Sequence, residues 1–323
     1  MTGVQIKRVS LIAPSTCLPR SEKSRVKQTI RHLTSILGQV EIDVSPYLFS
    51  SDELIDHVTA PLHDRAENFK EAIRKSDLII SVTGGTGAED ILFKIDKKDY
   101  RILRERNPLL IGFSDFTFLL NEIYYNSRIP AVYFPTLRLG RGNLKKIEDL
   151  FFDRPIQYHG KAWLTAPPKR NLTGIPLGGN LSTFVNFLNR KEPPAFDWKK
   201  YILFFEDIQI DVEDLHRLLA ALRRHKVFRE IKGLVIGSLA SYNKNGSYRA
   251  VQKENLRFIR NYLSDIIEKR KDRKNPLPIL SVSNFGHNIP GDMMAVPIGG
   301  QAVIDRHKNI TLQLHRQRKT REA

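Results

Sequence analysis

The sequence is poor in cysteine, since Cys17 is the single cysteine among 323 residues. One cysteine cannot form an internal disulfide, which excludes a disulfide-stabilised secreted domain and favours a reducing compartment. The chain also lacks an apolar run of about 18 residues, the length that a membrane-spanning helix needs. Its N-terminus does not show the charged-then-apolar pattern of a signal segment. These absences predict a cytoplasmic protein with no membrane partner.

Motifs for metals and nucleotides are absent as well. The chain has no His-Glu-x-x-His helix and no cysteine–histidine cluster at ligand spacing, so we predict no metal and no cofactor. The stretch Gly84-Gly85-Thr86-Gly87 lacks both the Walker lysine and the third glycine of a dinucleotide fingerprint. Glu89 and Asp90 open the next predicted helix and would repel a phosphate from its N-terminus. The stretch therefore fits either a structural turn or a loop that presents a backbone N–H to an active site.

Positive charge is what the chain has in excess, with a formal net charge of +17. Much of it lies in two runs, Lys269–Lys274 and Arg306–Arg321. Such a balance attracts anionic partners. No aromatic residues for base stacking are interleaved with the runs, and no helix-turn-helix or RNA-recognition motif is present. We therefore do not expect a nucleic-acid partner, and weak attraction to an anionic substrate or polymer accounts for the charge.

Apolar strands alternate with amphipathic helices in the first half of the chain. Strands are predicted over 9–13, 78–82 and 109–113, and helices over 24–37 and 65–76. This alternation predicts an α/β fold with a mostly parallel sheet that helices cover on both faces.

A stretch rich in proline and glycine interrupts this pattern and indicates a domain boundary. Beyond it, strands are predicted over 201–205, 234–237 and 279–282. We predict an N-terminal domain over 1–145, a linker over 146–172, a C-terminal domain over 173–310 and a basic tail over 311–323.

Ser114 follows the apolar strand 109–113 and precedes a helix, in the segment Gly112-Phe113-Ser114-Asp115-Phe116. A serine at such a corner has an exposed hydroxyl, neighbouring backbone N–H groups and the positive end of a helix dipole, which suits a hydrolytic nucleophile. The match to the Gly-x-Ser-x-Gly elbow is partial, because Phe116 replaces the second glycine. A helix N-cap is the alternative role.

Glu206 and His287 occupy similar positions further along the chain. Glu206 ends the apolar run 201–205, and His287 follows Gly286 after the strand 279–282. Capping of the following helix is the alternative role for Glu206, and a structural histidine is the alternative for His287. All three candidates, however, lie at the carboxyl ends of predicted strands, where active sites form in open α/β sheets. Their order, Ser, Glu, His, is that of a known acyl-transfer triad.

These segments resemble the LD-carboxypeptidase family of serine peptidases, which includes the microcin C self-immunity hydrolases. The likeness spans about residues 8 to 305, and it rests on the motifs Ala13-Pro14-Ser15, Arg65-Ala66-Glu67-Asn68, Gly84-Gly85-Thr86-Gly87, Gly112-Phe113-Ser114-Asp115-Phe116-Thr117, Gly178-Gly179-Asn180-Leu181, Phe205-Glu206-Asp207, Gly286-His287 and Pro297-Ile298-Gly299.

The resemblance implies a Ser-His-Glu triad, with Ser114 as nucleophile, His287 as general base and then acid, and Glu206 orienting the imidazole. It implies oxyanion donors from the backbone N–H groups of Gly85 and Asp115. It also implies a Rossmann-like N-terminal sandwich, a smaller, β-rich α/β domain, an active site between them and a homodimer. The implied substrates are murein-derived peptides in cytoplasmic peptidoglycan recycling or, alternatively, toxic peptidyl-nucleotides in microcin immunity.

Departures from the family pattern leave the substrate open. Thr86 stands where an aromatic residue is common, and Ile210 replaces a frequent second glutamate. Phe134-Pro135-Thr136 replaces a short Gly-Pro element. Arg65 and Arg138 could hold a substrate carboxylate, although salt bridging on the protein surface is the expected use of each, so neither is placed in the site.

Overall fold

A computed structural model describes residues 6–51, 58–135, 141–239, 248–272, 274, 276–287, 289 and 291–315. The chain forms two compact units. The first comprises Met1–Pro155, Pro297–Gly300 and Gln313–Ala323, and the second comprises Ile156–Val296 and Gln301–Leu312. Among the helices within the described ranges, none is long and apolar enough to cross a membrane.

The strands and helices follow one another along both units. The strands are β1 (Arg8–Ile12), β2 (Glu41–Val44), β3 (Leu78–Ser81), β4 (Leu109–Gly112), β5 (Ala131–Tyr133), β6 (Ile156–His159), β7 (Ala162–Trp163), β8 (Leu172–Asn180), β9 (Tyr201–Glu206), β10 (Gly233–Ile236), β11 (Ile279–Ser281), β12 (Val296–Ile298), β13 (Gln301–Ile304) and β14 (Asn309–Gln313). The helices are α1 (Lys23–Leu37), α2 (Leu62–Lys75), α3 (Lys97–Arg106), α4 (Thr117–Ser127), α5 (Arg141–Phe151), α6 (Leu181–Asn189), α7 (Val212–Arg224), α8 (Val227–Glu230), α9 (Tyr248–Tyr262) and α10 (Ser264–Asp272).

The first unit is built on a six-stranded sheet with the order β12-β5-β4-β3-β1-β2. Strands β1 to β5 pair in parallel. The chain adds β2 on one side of β1 and β3 on the other, so the winding direction reverses between β1 and β3. In doubly wound sheets, ligands bind outside the carboxyl ends of the strands at such a reversal. The expected Rossmann-like, mostly parallel sheet is confirmed, with β12 added from a distant part of the chain.

Burial explains why these segments adopt their structures. Every residue of β3 and β4 is buried, as expected for central strands covered on both faces. Helix α2 buries Ala66, Phe69 and Ile73 at helical spacing, as its periodicity predicts. Helix α4 is buried on nearly all sides.

The second unit contains an eight-stranded sheet with the order β6-β14-β13-β8-β9-β10-β11-β7. Strands β8 to β11 are parallel, whereas β13, β14 and β7 pair with their neighbours β8, β6 and β11 in antiparallel fashion. Only Gly160 and Lys161 separate β6 from β7, although these strands lie at opposite ends of the order. The Gly160 N–H donates to Lys308 and the Lys161 N–H to Ser281, both at 2.8 Å. The sheet therefore curls until its two edges meet, and the expected smaller, β-rich α/β domain is present.

The structure differs from the expected linker over 146–172. Helix α5 continues to Phe151, and the two units meet in sequence at Pro155–Ile156. Strands β6 and β7 and the first residue of β8 also lie within this stretch. The prolines and glycines of this stretch are typical of loops, so no local pattern predicts these strands. Strand β6 forms because it pairs with β14, and the paired residues His159 and Asn309 are 150 positions apart in the sequence. The expected tail over 311–323 also begins inside β14. Its remainder, 316–323, lies outside the described residues.

Candidate active site

Ser114 is in a strained backbone conformation at the end of β4. Its φ is +57°, in the left-handed region that non-glycine residues rarely adopt. Phe113 before it is extended, and Ser114 itself begins the short 3-10 turn that leads into α4. A serine held at positive φ between a strand and a helix is the geometry of a nucleophile elbow. Such strain costs about 1–3 kcal/mol and persists where function requires it.

The N-cap alternative for Ser114 does not describe the structure. Phe113 caps the 3-10 turn and Phe116 caps α4, neither with a side-chain hydrogen bond. Gly112 makes the sharp corner possible, because a Cβ at this position would overlap the ring of Phe116.

The glycine-rich loop after β3 lies against the serine. A Cβ on Gly84 would be 2.6 Å from the Cβ of Ser114, so only glycine allows this approach. Gly85 has a φ of +107°, and a Cβ there would overlap the side chain of Thr16. The Thr16 N–H donates to the Gly84 carbonyl at 3.1 Å, and the Thr86 N–H donates to Thr16 Oγ1 at 3.2 Å. Close packing thus holds the loop beside Ser114.

Asp115 and Arg65 fix the far end of the same loop. Asp115 Oδ2 accepts a hydrogen bond from the Ala88 N–H at 2.8 Å, and burial raises the pKa of this carboxyl. The Arg65 guanidinium donates to the carbonyls of Pro14 at 2.9 Å and Gly87 at 2.5 Å. Because Arg65 is 4% exposed and bonded to backbone, its role is to fasten these loops. Arg138, the other candidate for a substrate carboxylate, lies outside the described residues.

Tyr133 is a neighbour of Ser114 that sequence reasoning missed. Its hydroxyl accepts a hydrogen bond from the Ser114 N–H at 3.2 Å, and its ring lies 4.8 Å from that of Phe113. Tyr133 ends β5, next to β4 in the sheet. A phenol inside an apolar strand looks like a core residue in the sequence, so nothing there distinguishes it.

Glu206 and His287 form a direct hydrogen-bonded pair in the second unit. The ring Nδ1 of His287 lies 2.8 Å from Glu206 Oε2 and 3.1 Å from Oε1. The backbone N–H of His287 donates to the same Oε2 at 2.8 Å. Glu206 is fully buried, and the His287 side chain is 15% exposed. A carboxylate that accepts from Nδ1 keeps the proton there, so the neutral imidazole presents Nε2 as an acceptor.

Gly286 allows His287 to reach the carboxylate. Its φ is +117°, and a Cβ would lie 2.6 Å from Glu206 Oε2. The alternative role of Glu206, capping the next helix, is not observed. Asp211 is the N-cap of α7, and its side chain accepts from the Asp214 N–H.

Asp207, the neighbour of Glu206, holds the end of β9 in place. Its Oδ1 accepts from Asn180 Nδ2 and from the Ile208 N–H, each at 2.8 Å. Its Oδ2 accepts from the Ser182 N–H at 2.9 Å and the Ser182 hydroxyl at 2.6 Å. Burial, and then repulsion from Glu206, raises the pKa of Asp207. These bonds tie β9 to the β8–α6 junction formed by the Gly-Gly-Asn-Leu motif, a function that the sequence alone did not indicate.

The structure thus brings Glu206 and His287 together in the second unit, and it places Ser114 against Gly84 in the first. Of the predicted oxyanion donors, Asp115 follows Ser114 in the chain, and Gly85 follows Gly84, which lies against Ser114. Within the part of the chain that the structure describes, the backbone N–H groups of Gly85 and Asp115 donate no hydrogen bond to another protein group.

Comparison with known proteins identifies the family. The LD-carboxypeptidase N-terminal domain matches residues 9–134, and the LD-carboxypeptidase C-terminal domain matches residues 173–304. The chain belongs to the LD-carboxypeptidase family. This family consists of peptidases, as the resemblance in the sequence motifs predicted.

Relatives and solved structures agree with this assignment. A Treponema pallidum (strain Nichols) protein with the provisional name of carboxypeptidase is 28% identical, over 95% of this chain and 92% of its own. The muramoyltetrapeptide carboxypeptidase from Oxalobacter formigenes is 20% identical, with a TM-score of 0.73 over 94% of this chain and 97% of its own. The microcin C7 self-immunity protein MccF, solved with aspartyl sulfamoyl adenosine, is 17% identical, with a TM-score of 0.73 over 97% of both chains. At these identities the two structures show a shared fold.

Proposed function

We propose that the protein is a serine hydrolase in which Ser114, His287 and Glu206 act as a catalytic triad. The observation that carries the proposal is the Glu206–His287 pair, because it fixes the imidazole tautomer that a general base requires. The positive φ of Ser114 supports its role as nucleophile.

The reaction runs through an acyl-enzyme. Ser114 Oγ attacks the amide carbonyl carbon while His287 Nε2 takes the hydroxyl proton. The C–N bond then breaks, and the imidazolium returns this proton to the leaving amine. Water then attacks the ester carbonyl carbon while the same nitrogen takes its proton. The bond between this carbon and Ser114 Oγ breaks, the imidazolium returns the proton to Oγ, and the acid product leaves.

The remaining groups stabilise charge along this path. Glu206 stabilises the imidazolium that forms twice in each cycle. The backbone N–H groups of Gly85 and Asp115 stabilise the oxyanion, each contributing about 3 kcal/mol in the transition state. The loop is suited to this because Gly84 allows it to approach Ser114 closely and Gly85 allows it to pack against Thr16.

As substrate we propose a murein peptide cut between an L-centre and its C-terminal D-amino acid. Support comes from family membership and from the fold shared with a muramoyltetrapeptide carboxypeptidase. Peptidoglycan recycling in the cytoplasm, by a homodimer, belongs to the same proposal. Light scattering of the purified protein tests the dimer.

Mass spectrometry of products from a panel of murein peptides tests the activity. We expect release of the terminal D-residue from a tetrapeptide, and no release from the matched peptide with a terminal L-residue. The Ser114→Ala variant should give no product. Equal cleavage of both epimers, or turnover by Ser114→Ala, would contradict the proposal.

Hydrolysis of a toxic peptidyl- or aminoacyl-nucleotide is the second candidate. The fold shared with MccF, which was solved with aspartyl sulfamoyl adenosine, favours it. The two candidates use the same triad and differ in the leaving group. Incubation of the protein with murein tetrapeptide and, separately, with aspartyl sulfamoyl adenosine distinguishes them by the substrate that is consumed.

A further inference from the structure

The second unit contains a basic pocket outside the residues assigned to catalysis. It lies where the end of α7, the short helix α8 and α10 come together, and its volume is about 250 Å³. Its charged lining consists of Arg223, Lys226, Arg229, Asp265, Lys269 and Arg270.

Positive charge in this pocket is only partly compensated. Asp265 is the acidic residue in the lining, and it already pairs with Arg223 through contacts of 2.5 Å and 3.3 Å. Lys226, Arg229 and Lys269 are exposed and sit around the same opening. Three cationic side chains at one opening attract an anion, and Asp265 is the acid in the lining that opposes them.

Arg270 has a structural role beneath these side chains. It is 4% exposed and donates to the carbonyls of Phe228 at 3.1 Å and Ile231 at 2.8 Å. Backbone carbonyls orient the guanidinium, burial lowers the pKa of Arg270 to about 10, and the negative charge of Glu230 opposes this shift. Arg270 therefore supports the wall of the pocket, while Lys226, Arg229 and Lys269 are exposed at its opening.

We infer that this pocket binds a small organic phosphate. Phosphate is a multivalent anion whose oxygens match the donor geometry of arginine and the point charge of lysine. Ile266, which is half-buried, also lines the pocket above the buried Phe228, and it provides an apolar surface for a group attached to the phosphate. The volume admits one ring-sized group beside the anion. Such a ligand would account for part of the strong positive charge of the chain, which has no role in the proposed peptidase reaction.

Titration calorimetry with phenyl phosphate at constant ionic strength tests this inference. Inorganic phosphate represents the anionic part of this ligand, and phenol represents its apolar ring. We expect phenyl phosphate to bind more tightly than inorganic phosphate, and phenol not to bind. No binding of phenyl phosphate, or equal binding of the two phosphates, would overturn the assignment of an organic phosphate.

Variants distinguish a defined site from general attraction to a basic protein. The double variant Arg229→Ala, Lys269→Ala should raise the Kd for phenyl phosphate at least tenfold, with the melting temperature unchanged because both side chains are exposed. Lys271→Ala is the matched control, since Lys271 lies on α10 and pairs with Glu268 at 3.3 Å. Equal weakening by both changes would overturn the proposal. Turnover of the peptidase substrate should be the same in all three proteins, so the outcome does not depend on the proposed function.

Discussion

Glu206 accepts hydrogen bonds from both the ring and the backbone of His287, with Oε2 at 2.8 Å from Nδ1 and at 2.8 Å from the backbone nitrogen. This double contact fixes the position and the rotation of the imidazole at the same time. A residue anchored at one of these points alone could still turn about its side-chain bonds. The carboxylate therefore orients the imidazole of His287.

Glu206→Gln should lower kcat at neutral pH by roughly 10³–10⁴-fold, similar to loss of the carboxylate in other triads. A glutamine side chain has one acceptor oxygen, and its NH2 group would favour the wrong imidazole tautomer. Steady-state kinetics and circular dichroism measure the effect and the retention of fold. Glu230→Gln, on the partly exposed helix α8, is the control. Less than a tenfold loss would show that Glu206 does not set the tautomer.

Replacement of Ser114 should separate stability from activity. Ser114→Gly removes the hydroxyl and relieves the strain of positive φ. We therefore expect no turnover and a free energy of unfolding that is higher by about 1 kcal/mol. Ser114→Ala should also be inactive but should gain no such stability. Denaturant titration and product assays give the comparison, and Ser264→Ala, at an exposed helix start, is the control. Unchanged turnover in either Ser114 variant would remove the serine from the mechanism.

Gly286→Ala should damage the site beyond its effect on stability. The new Cβ would lie 2.6 Å from Glu206 Oε2, so the histidine or the carboxylate must move, and we expect a loss in kcat of at least tenfold. Gly38→Ala is a matched control, since Gly38 also has positive φ, at +74°, but open space around it. Each variant should lose about 1 kcal/mol of stability from its positive φ, and Gly286→Ala should lose about 1–3 kcal/mol more from the overlap. Only Gly286→Ala should lose activity. Equal kcat values for the two would contradict a tight fit at Gly286.

Asp207→Asn should destabilise the protein by about 1–3 kcal/mol, because the amide NH2 group cannot accept the two hydrogen bonds made to the carboxyl oxygen that it replaces. The difference from the wild type should depend on pH. The folded pKa of Asp207 is raised, so between its ordinary and its raised pKa the folded state binds more protons than the unfolded state. The stability contribution of this carboxyl is therefore fully present below the ordinary pKa and decreases as the pH rises.

Denaturant titrations of the wild type and Asp207→Asn from pH 3 to pH 8 measure this dependence. The stability advantage of the wild type should be largest in acid and should shrink through that window. An advantage that grows with pH would mean that the folded carboxyl has a lowered pKa. Kinetics of the same variant test whether Asp207 positions Glu206, since loss of that support should lower kcat more than it changes KM.

The strands and helices that were predicted correctly are those with a clear local pattern of apolar residues. Strands β3 and β4 are fully buried, so they read as continuous apolar runs, and α2 shows one apolar face at helical spacing. The catalytic candidates were found by the same means, because Ser114, Glu206 and His287 each follow such a strand. The alternatives for Ser114 and Glu206 as helix caps were excluded only when the caps themselves, Phe116 and Asp211, were seen.

The sequence by itself determined the α/β class, the main strands and helices of the first half, and the candidate residues. These features depend on the spacing of apolar residues and on turn residues, which can be read from neighbouring positions in the chain. Tertiary structure alone decided that β6 pairs with β14 and that β12 joins the first sheet. It also decided that Tyr133 and Asp207 support the site residues. These relationships depend on which distant segments share a sheet and which buried polar groups find partners there, and no local pattern encodes either.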